Sequence, residues 1–316
     1  MKFKKTLSIL TLSVALTFLN AGCFISLPDW VPGIGGGGSG GDIKTHKASF
    51  LFDGAGTRVM NYLADSADEG SFHHIVNRCK ANGDTVIYLY FSNQGDGSPN
   101  PTSFYVNNNF AGQIDGGKVD RMQKKLEICR DKDLQIVAWL FADDSSGISR
   151  SLSDDNVNEY LENTIDGVYT KSGNGIITTR ASLDSQKKYV KDVVDLFDKY
   201  IAEYVVALEG NEHMNSRIGP LADYLNGLTD KKIGTHQTPG AYNHARDIGS
   251  VDHHYHQYGW NKSPGAMKST TQGVRGAVGK PVVACEYNKS SDSGTAKAQG
   301  DGAMSGGAIG TGNGRN

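Results

Sequence analysis

Cysteine is scarce in this sequence, with four residues in 316. Cys23 lies in a glycine-rich N-terminal region, which leaves Cys79, Cys129 and Cys285, so at most one disulfide forms among the rest and a disulfide-stapled scaffold is excluded. Cys79 shares an apolar helical face with Phe72, Ile75 and Val76, and Cys129 shares one with Val119, Met122 and Leu126. Buried free thiols and a bridge between neighbouring helices both stay open. No Cys-x-x-Cys or His-Glu-x-x-His pattern is present to frame a metal site. There is no basic stripe either. The formal charge is −2, and Lys2, Lys4 and Lys5 account for +3 of it, so the remainder carries about −5 and nucleic acid is not an expected partner. The apolar run from Leu7 to Leu19 is too short to span a bilayer, and no internal repeat announces a solenoid or propeller.

What is there begins with the leader. A basic start, KFKK, precedes that apolar run, and small residues lead to Cys23, the pattern of a secretory signal. LNAGC resembles a bacterial lipobox, in which the cysteine is lipidated and becomes the new N-terminus. Residues 1–22 are therefore expected to be a lipoprotein-type signal peptide and residues 23–45 a tether, GIGGGGSGG being flexible by composition. Residues 46–316 form the expected domain. The expected partner is a membrane, reached through a lipid on Cys23, and the expected place an outer membrane or cell surface. Asn20 stands where the motif prefers leucine, so a soluble secreted protein is the alternative.

From residue 46 onward, β-favouring runs alternate with longer segments, most of helical period. The strand candidates are KASFLFD, DTVIYLYF, LQIVAWLFA, AEYVVALE, KKIGTH, SVDHHYH, PVVACEY and GAMSGGAIG. Eight runs in this rhythm predict a parallel sheet closed into an α/β (β/α)8 TIM barrel, with an open sheet as the alternative. Helices are expected at Phe72–Ala81, Lys118–Arg130, Ser185–Ala202, Pro220–Leu228 and Gly265–Val278, with one turn at Tyr242–Arg246. The span from Asp143 to Leu183 reads as a polar insertion with a helix at Asp154–Tyr160, and no regular eighth helix is expected after GAMSGGAIG.

In a barrel the strand ends point to a common rim. They would bring together Asp53, Ser92 or Asn93, Asp143 and Asp144, Asn211 and Glu212, His236, His253 to His256, and Glu286 with Tyr287. Two glutamates at the ends of different strands suit glycosidic cleavage, where one carboxyl protonates the leaving oxygen and the other attacks the sugar carbon or activates water.

GNE after the fourth run and PVVACEY at the seventh resemble the two catalytic signatures of the clan-A glycoside hydrolases, a (β/α)8 group that includes cellulases, mannanases and β-galactosidases. The resemblance implies a retaining mechanism on β-linked sugars, with Glu286 as nucleophile, Glu212 as acid/base and Asn211 on the sugar 2-hydroxyl. The HHYH run resembles the clan's His-x-Tyr, which implies that His253 and Tyr255 face the site and that the Tyr255 hydroxyl holds Glu286 ionised. The clan's aromatic at the end of strand eight is missing from GAMSGGAIG, and His213 stands where a proline or small residue is usual.

His236 and Asp143 are candidate substrate-binding groups, and Trp260 in QYGWNKSPG is the candidate sugar platform. Tyr88, Tyr90 and Trp139 read as core. Glu209, still within the fourth strand, reads as a wall or salt-bridged residue that competes with Glu212. The mechanism requires no cofactor, and the chain is expected to act as a monomer on a carbohydrate.

Two other readings stay open. Histidines at i and i+2 of a strand share a face. That gives a metal-dependent barrel hydrolase built on His254 and His256, or on His253 and Tyr255. The thin eighth strand fits instead a surface lipoprotein that binds glycans without cutting them.

Overall fold

A computed structural model describes residues 46–48, 62–63, 68–91, 104–106, 111–141, 168–171, 177–180, 183–213, 215–259, 262–288 and 293–312. Ten strands occur among them. Eight make one parallel sheet: β1 (His46–Ala48), β2 (Val86–Tyr90), β3 (Gln135–Phe141), β6 (Ile201–Ala207), β7 (Lys232–Gln237), β8 (His253–Gln257), β9 (Val282–Cys285) and β10 (Gly310–Gly312). Their spatial order is β1-β10-β9-β8-β7-β6-β3-β2. The two edges of that order meet. Lys47 N donates to Thr85 Oγ1 at 3.0 Å, and Thr85 N donates to Lys47 O at 2.9 Å, which brings β1 to β2 and nearly closes the sheet on itself.

Every residue of β2 and β6 is buried, as strands covered on both faces require. Tyr88, Tyr90, Val137, Trp139, Val205, Tyr255, Val283 and Cys285 fill the interior. A larger core lies between the sheet and its helices. Those helices are α1 (Glu69–Ala81), α2 (Gly116–Asp131), α3 (Leu183–Phe197), α4 (Gly210–His213), α5 (Asn215–Asn226), α6 (Asn243–Asp247), α7 (Pro264–Val278) and α8 (Ser293–Ser305). Their starts follow capping chemistry. Asp68 accepts from Ser71 N at 2.7 Å, Asp115 from Lys118 N at 3.2 Å, and Ser263 from Ala266 N at 3.2 Å with Pro264 in the first turn.

Two expectations are corrected. The helix expected over Ser185–Ala202 ends at Phe197; a 3-10 turn follows, and Ile201 opens β6 instead of finishing a helical face. The stretch expected as the eighth strand, residues 302–310, is the end of α8 and the turn after it, and β10 begins only at Gly310. The polar insertion contains an antiparallel hairpin, β4 (Val168–Lys171) with β5 (Ile177–Arg180), while Asp154–Tyr160 lies outside the described residues. Cys79, Cys129 and Cys285 are buried free thiols, so the bridge between α1 and α2 is not made.

The glycines of the last element have a steric reason. A Cβ on Gly310 would stand 2.1 Å from the Cβ of His46, and one on Gly312 would stand 2.5 Å from the Tyr88 ring. Side chains from β1 and β2 take the interior space that strand eight leaves. α8 is equally close to α7, because a Cβ on Gly302 would lie 2.3 Å from Pro264 O.

Candidate active site

The fourth strand of the sheet, β6, runs out at Ala207, and Glu209 follows with φ +46. The seventh, β9, runs out at Cys285, and Glu286 follows with φ +47. Left-handed backbone costs a residue with a Cβ about 1 kcal/mol or more. Both carboxylates are thus held at their strand ends by a conformation that ordinary turns avoid.

The side chains meet at Gln257, the last residue of β8. Its Nε2 donates to Glu209 Oε1 at 2.8 Å and to Glu286 Oε2 at 2.9 Å. Two contacts to one nitrogen hold those oxygens no more than 2.8 plus 2.9, or 5.7 Å, apart. His236 completes the arrangement. Its Nδ1 accepts from Glu209 N at 3.0 Å, so the ring is neutral with its proton on Nε2, and that nitrogen faces Glu286 Oε2 at 3.6 Å. Glu286 is 7% exposed and Glu209 half-buried, with the Trp139 ring 5.3 Å from His236.

Asn211 sits in α4 on the same rim. It accepts from Thr238 N at 2.9 Å through Oδ1 and donates to Thr238 Oγ1 at 2.6 Å through Nδ2, which fixes its amide between the fourth and fifth strands. Glu212 is the next residue of α4; its side chain, like Asp143, Trp260 and Cys23, lies outside the described residues.

No family model matches this chain, and no curated protein matches it. Solved structures do. The endo-1,4-β-D-mannanase of Thermotoga petrophila RKU-1 is 12% identical, with a TM-score of 0.54 over 86% of this chain and 88% of its own. The endo-1,4-β-mannanase of Eisenia fetida is 11% identical, TM-score 0.54, over 87% and 86%. A glycoside hydrolase family 5 mannosidase of Rhizomucor miehei is 10% identical, TM-score 0.55, over 86% and 82%. The fold is a (β/α)8 barrel. At these identities the likeness is one of fold, and it agrees with the parallel order, the near closure and the helices between strands.

In this barrel the strand-six expectations shift by one layer. His253, Tyr255 and Gln257 all point inward, but only Gln257 reaches the rim. Tyr255 does not touch Glu286; its hydroxyl donates to Glu203 Oε1 at 2.9 Å, deep in the interior. His253, the first residue of β8, pairs with Glu203 at 2.8 Å at the opposite end of the barrel from Glu286. His254 and His256 face the helix layer beside Tyr242, their rings 3.2 Å apart at Nε2 and Nδ1. Burial holds His256 down at about 4; burial, then the neighbouring His256, holds His254 at about 2, so both rings stay neutral where they pack beside Tyr242. Tyr287 turns outward onto Tyr258.

Glu209 and Gln257 were the residues that sequence reasoning undervalued. Period two carried on from Tyr255 reaches Gln257, and that signal was available. The left-handed turn that redirects Glu209 had no mark beyond the following Gly210, where a Cβ would lie 2.7 Å from Ile218.

Proposed function

We propose that this chain is a retaining glycoside hydrolase that cleaves β-linked hexose polysaccharides, with β-mannan the first substrate to test. The observation that carries the reading is Glu286, a carboxylate held in left-handed backbone at the end of the seventh strand, fed by the Gln257 amide and faced by His236 Nε2. The mannanases and mannosidase that share the fold support the class and suggest the sugar.

In the first step a Glu286 oxygen bonds to the anomeric carbon while the glycosidic C–O bond breaks and the acid carboxyl gives its proton to the departing oxygen. In the second, that carboxylate takes a proton from water, the water oxygen bonds to the anomeric carbon, and the ester to Glu286 breaks. Donors from Gln257 and His236 keep Glu286 anionic and oriented. By its motif Glu212 is the acid/base, and Asn211, pinned on Thr238, sits beside it to meet the 2-hydroxyl. One observation favours Glu209 in that role: its carboxyl shares Gln257 with Glu286, and contacts of 2.8 and 2.9 Å to one nitrogen keep the two oxygens within 2.8 plus 2.9, or 5.7 Å, a range that includes the roughly 5 to 5.5 Å of retaining enzymes. The leader and tether support an exported lipoprotein anchored through Cys23, with the barrel held away from the membrane.

The test is reducing-end release from a polysaccharide panel by wild type, Glu286→Gln, Glu212→Gln and Glu209→Gln. Glu286→Gln is expected to fall to background, and activity that survives it sinks the mechanism. The true acid/base variant loses about 10²- to 10⁴-fold on polysaccharide yet keeps turnover on aryl glycosides with good leaving groups, and azide restores it. Whichever of Glu212 and Glu209 shows that pattern takes the role.

A further inference from the structure

The opposite end of the barrel holds a second polar cluster that glycosidic chemistry does not use. His46 opens β1, Glu203 lies near the start of β6, and His253 opens β8. Their side chains converge inside the barrel: His46 Nε2 is 3.2 Å from Glu203 Oε2, and His253 Nδ1 is 2.8 Å from Glu203 Oε1. His46 and Glu203 are each 1% exposed. One potential ligand atom from each of the three residues lies within 4.8 Å of the other two.

Hydrogen positions sharpen what the cluster needs. The Tyr255 hydroxyl spends its proton on Glu203 Oε1 at 2.9 Å, and its oxygen stands 3.4 Å from His46 Nδ1. That leaves Nε2 of His46 facing a carboxylate oxygen at 3.2 Å, and two such acceptors in a buried site take a cation between them, either a proton on the imidazole or a metal ion. His46 Nε2 makes no aligned hydrogen bond to supply one.

We propose that His46, Glu203 and His253 form a structural site for one divalent transition-metal ion, zinc first. Two imidazoles and one carboxylate are a borderline donor set that suits zinc over the hard, all-oxygen ions. Zinc bonds near 2.1 Å ask for ligand atoms about 3.4 Å apart in a tetrahedron, so the 3.2 Å contact between Glu203 and His46 already fits, and the remaining spacing, within 4.8 Å, closes by up to about 1.4 Å on binding. The ion would bind the first, fourth and sixth strands together at the base of the barrel. It lies at the N-terminal ends of the strands, away from Glu286, and takes no part in bond cleavage.

The experiment uses the full chain without an affinity tag, stripped by a chelator and titrated with zinc. Calorimetry is expected to give one equivalent bound at micromolar Kd or tighter, with a rise in Tm, and cobalt in place of zinc is expected to show the visible absorption bands of a low-coordinate site. His253→Asn, at the most exposed of the three ligands (13%), is expected to weaken zinc binding at least 10-fold and to abolish the rise in Tm. Glu203→Gln, the same size without the charge, is the second variant and is expected to do the same. Failure of the wild type to take up stoichiometric zinc overturns the site, as does uptake undiminished in either folded variant.

Discussion

Gln257 spends both protons of one amide on carboxylates from two different strands. Without it, Glu209 and Glu286 would lose the one amide that both carboxylates share. A hydrogen bond to a charged group contributes about 1.5–3 kcal/mol, so Gln257→Ala is expected to lower kcat roughly 10- to 100-fold with little change in KM, read by steady-state kinetics on the best substrate. Glu203 presents the reverse case, a buried anion whose partners are fixed. Burial pushes its carboxyl up, but His253 and then His46 outweigh that and hold it at about 2, against an ordinary value of 4.5. A group lowered this way stabilises the fold above about 4.5, and the contribution is lost as pH falls toward 2. Replacing His253 by alanine leaves that charge underpaired and is expected to destabilise the fold by about 3 kcal/mol, measured by chemical denaturation at neutral pH.

β8 shows how a single element serves two environments. Its odd residues His253, Tyr255 and Gln257 enter the barrel at three depths, while His254 and His256 enter the helix layer. Both outward imidazoles are held neutral, His254 at about 2 and His256 at about 4, below an ordinary 6.5. The unfolded chain takes up protons there before the folded chain does, so stability is greatest above 6.5 and falls as pH drops through 6 toward 4. Differential scanning calorimetry across that range is expected to show a falling Tm, and His254→Phe is expected to flatten the slope. The same alternation explains what was legible. DHHYHQ announced a strand with chemistry on it, but which histidine meets the rim depends on how deep the strand starts, and only three-dimensional register fixes that. Glu286 was readable because its strand ends on it. Glu209 was not, because a left-handed turn no pattern of hydrophobicity encodes swings it inward.

At the scale of the whole molecule, β2, β3, β6 and β9 were readable because fully covered strands are largely continuous apolar runs, while β7 and β8, KIGTHQ and HHYHQ, were readable only from their place in the alternation of strands and helices. The last strand was not, since its job is to leave room. Glycine at 310 and 312 yields interior volume to His46 and Tyr88, and a sequence shows only that the side chains are missing. Gly312→Val is expected to cost about 1–3 kcal/mol or more by overpacking, checked by urea denaturation. The seam between β1 and β2 carries a further consequence. Among the described residues the backbone of Lys47 and the Thr85 residue join those strands, and β10, on the other side of β1, is three residues long. Amide protons there should exchange with solvent through a local opening that leaves the long β3 and β6 pair protected. The ring would then unlatch at one place well below the global unfolding temperature, a clasp that lets the barrel breathe without coming apart.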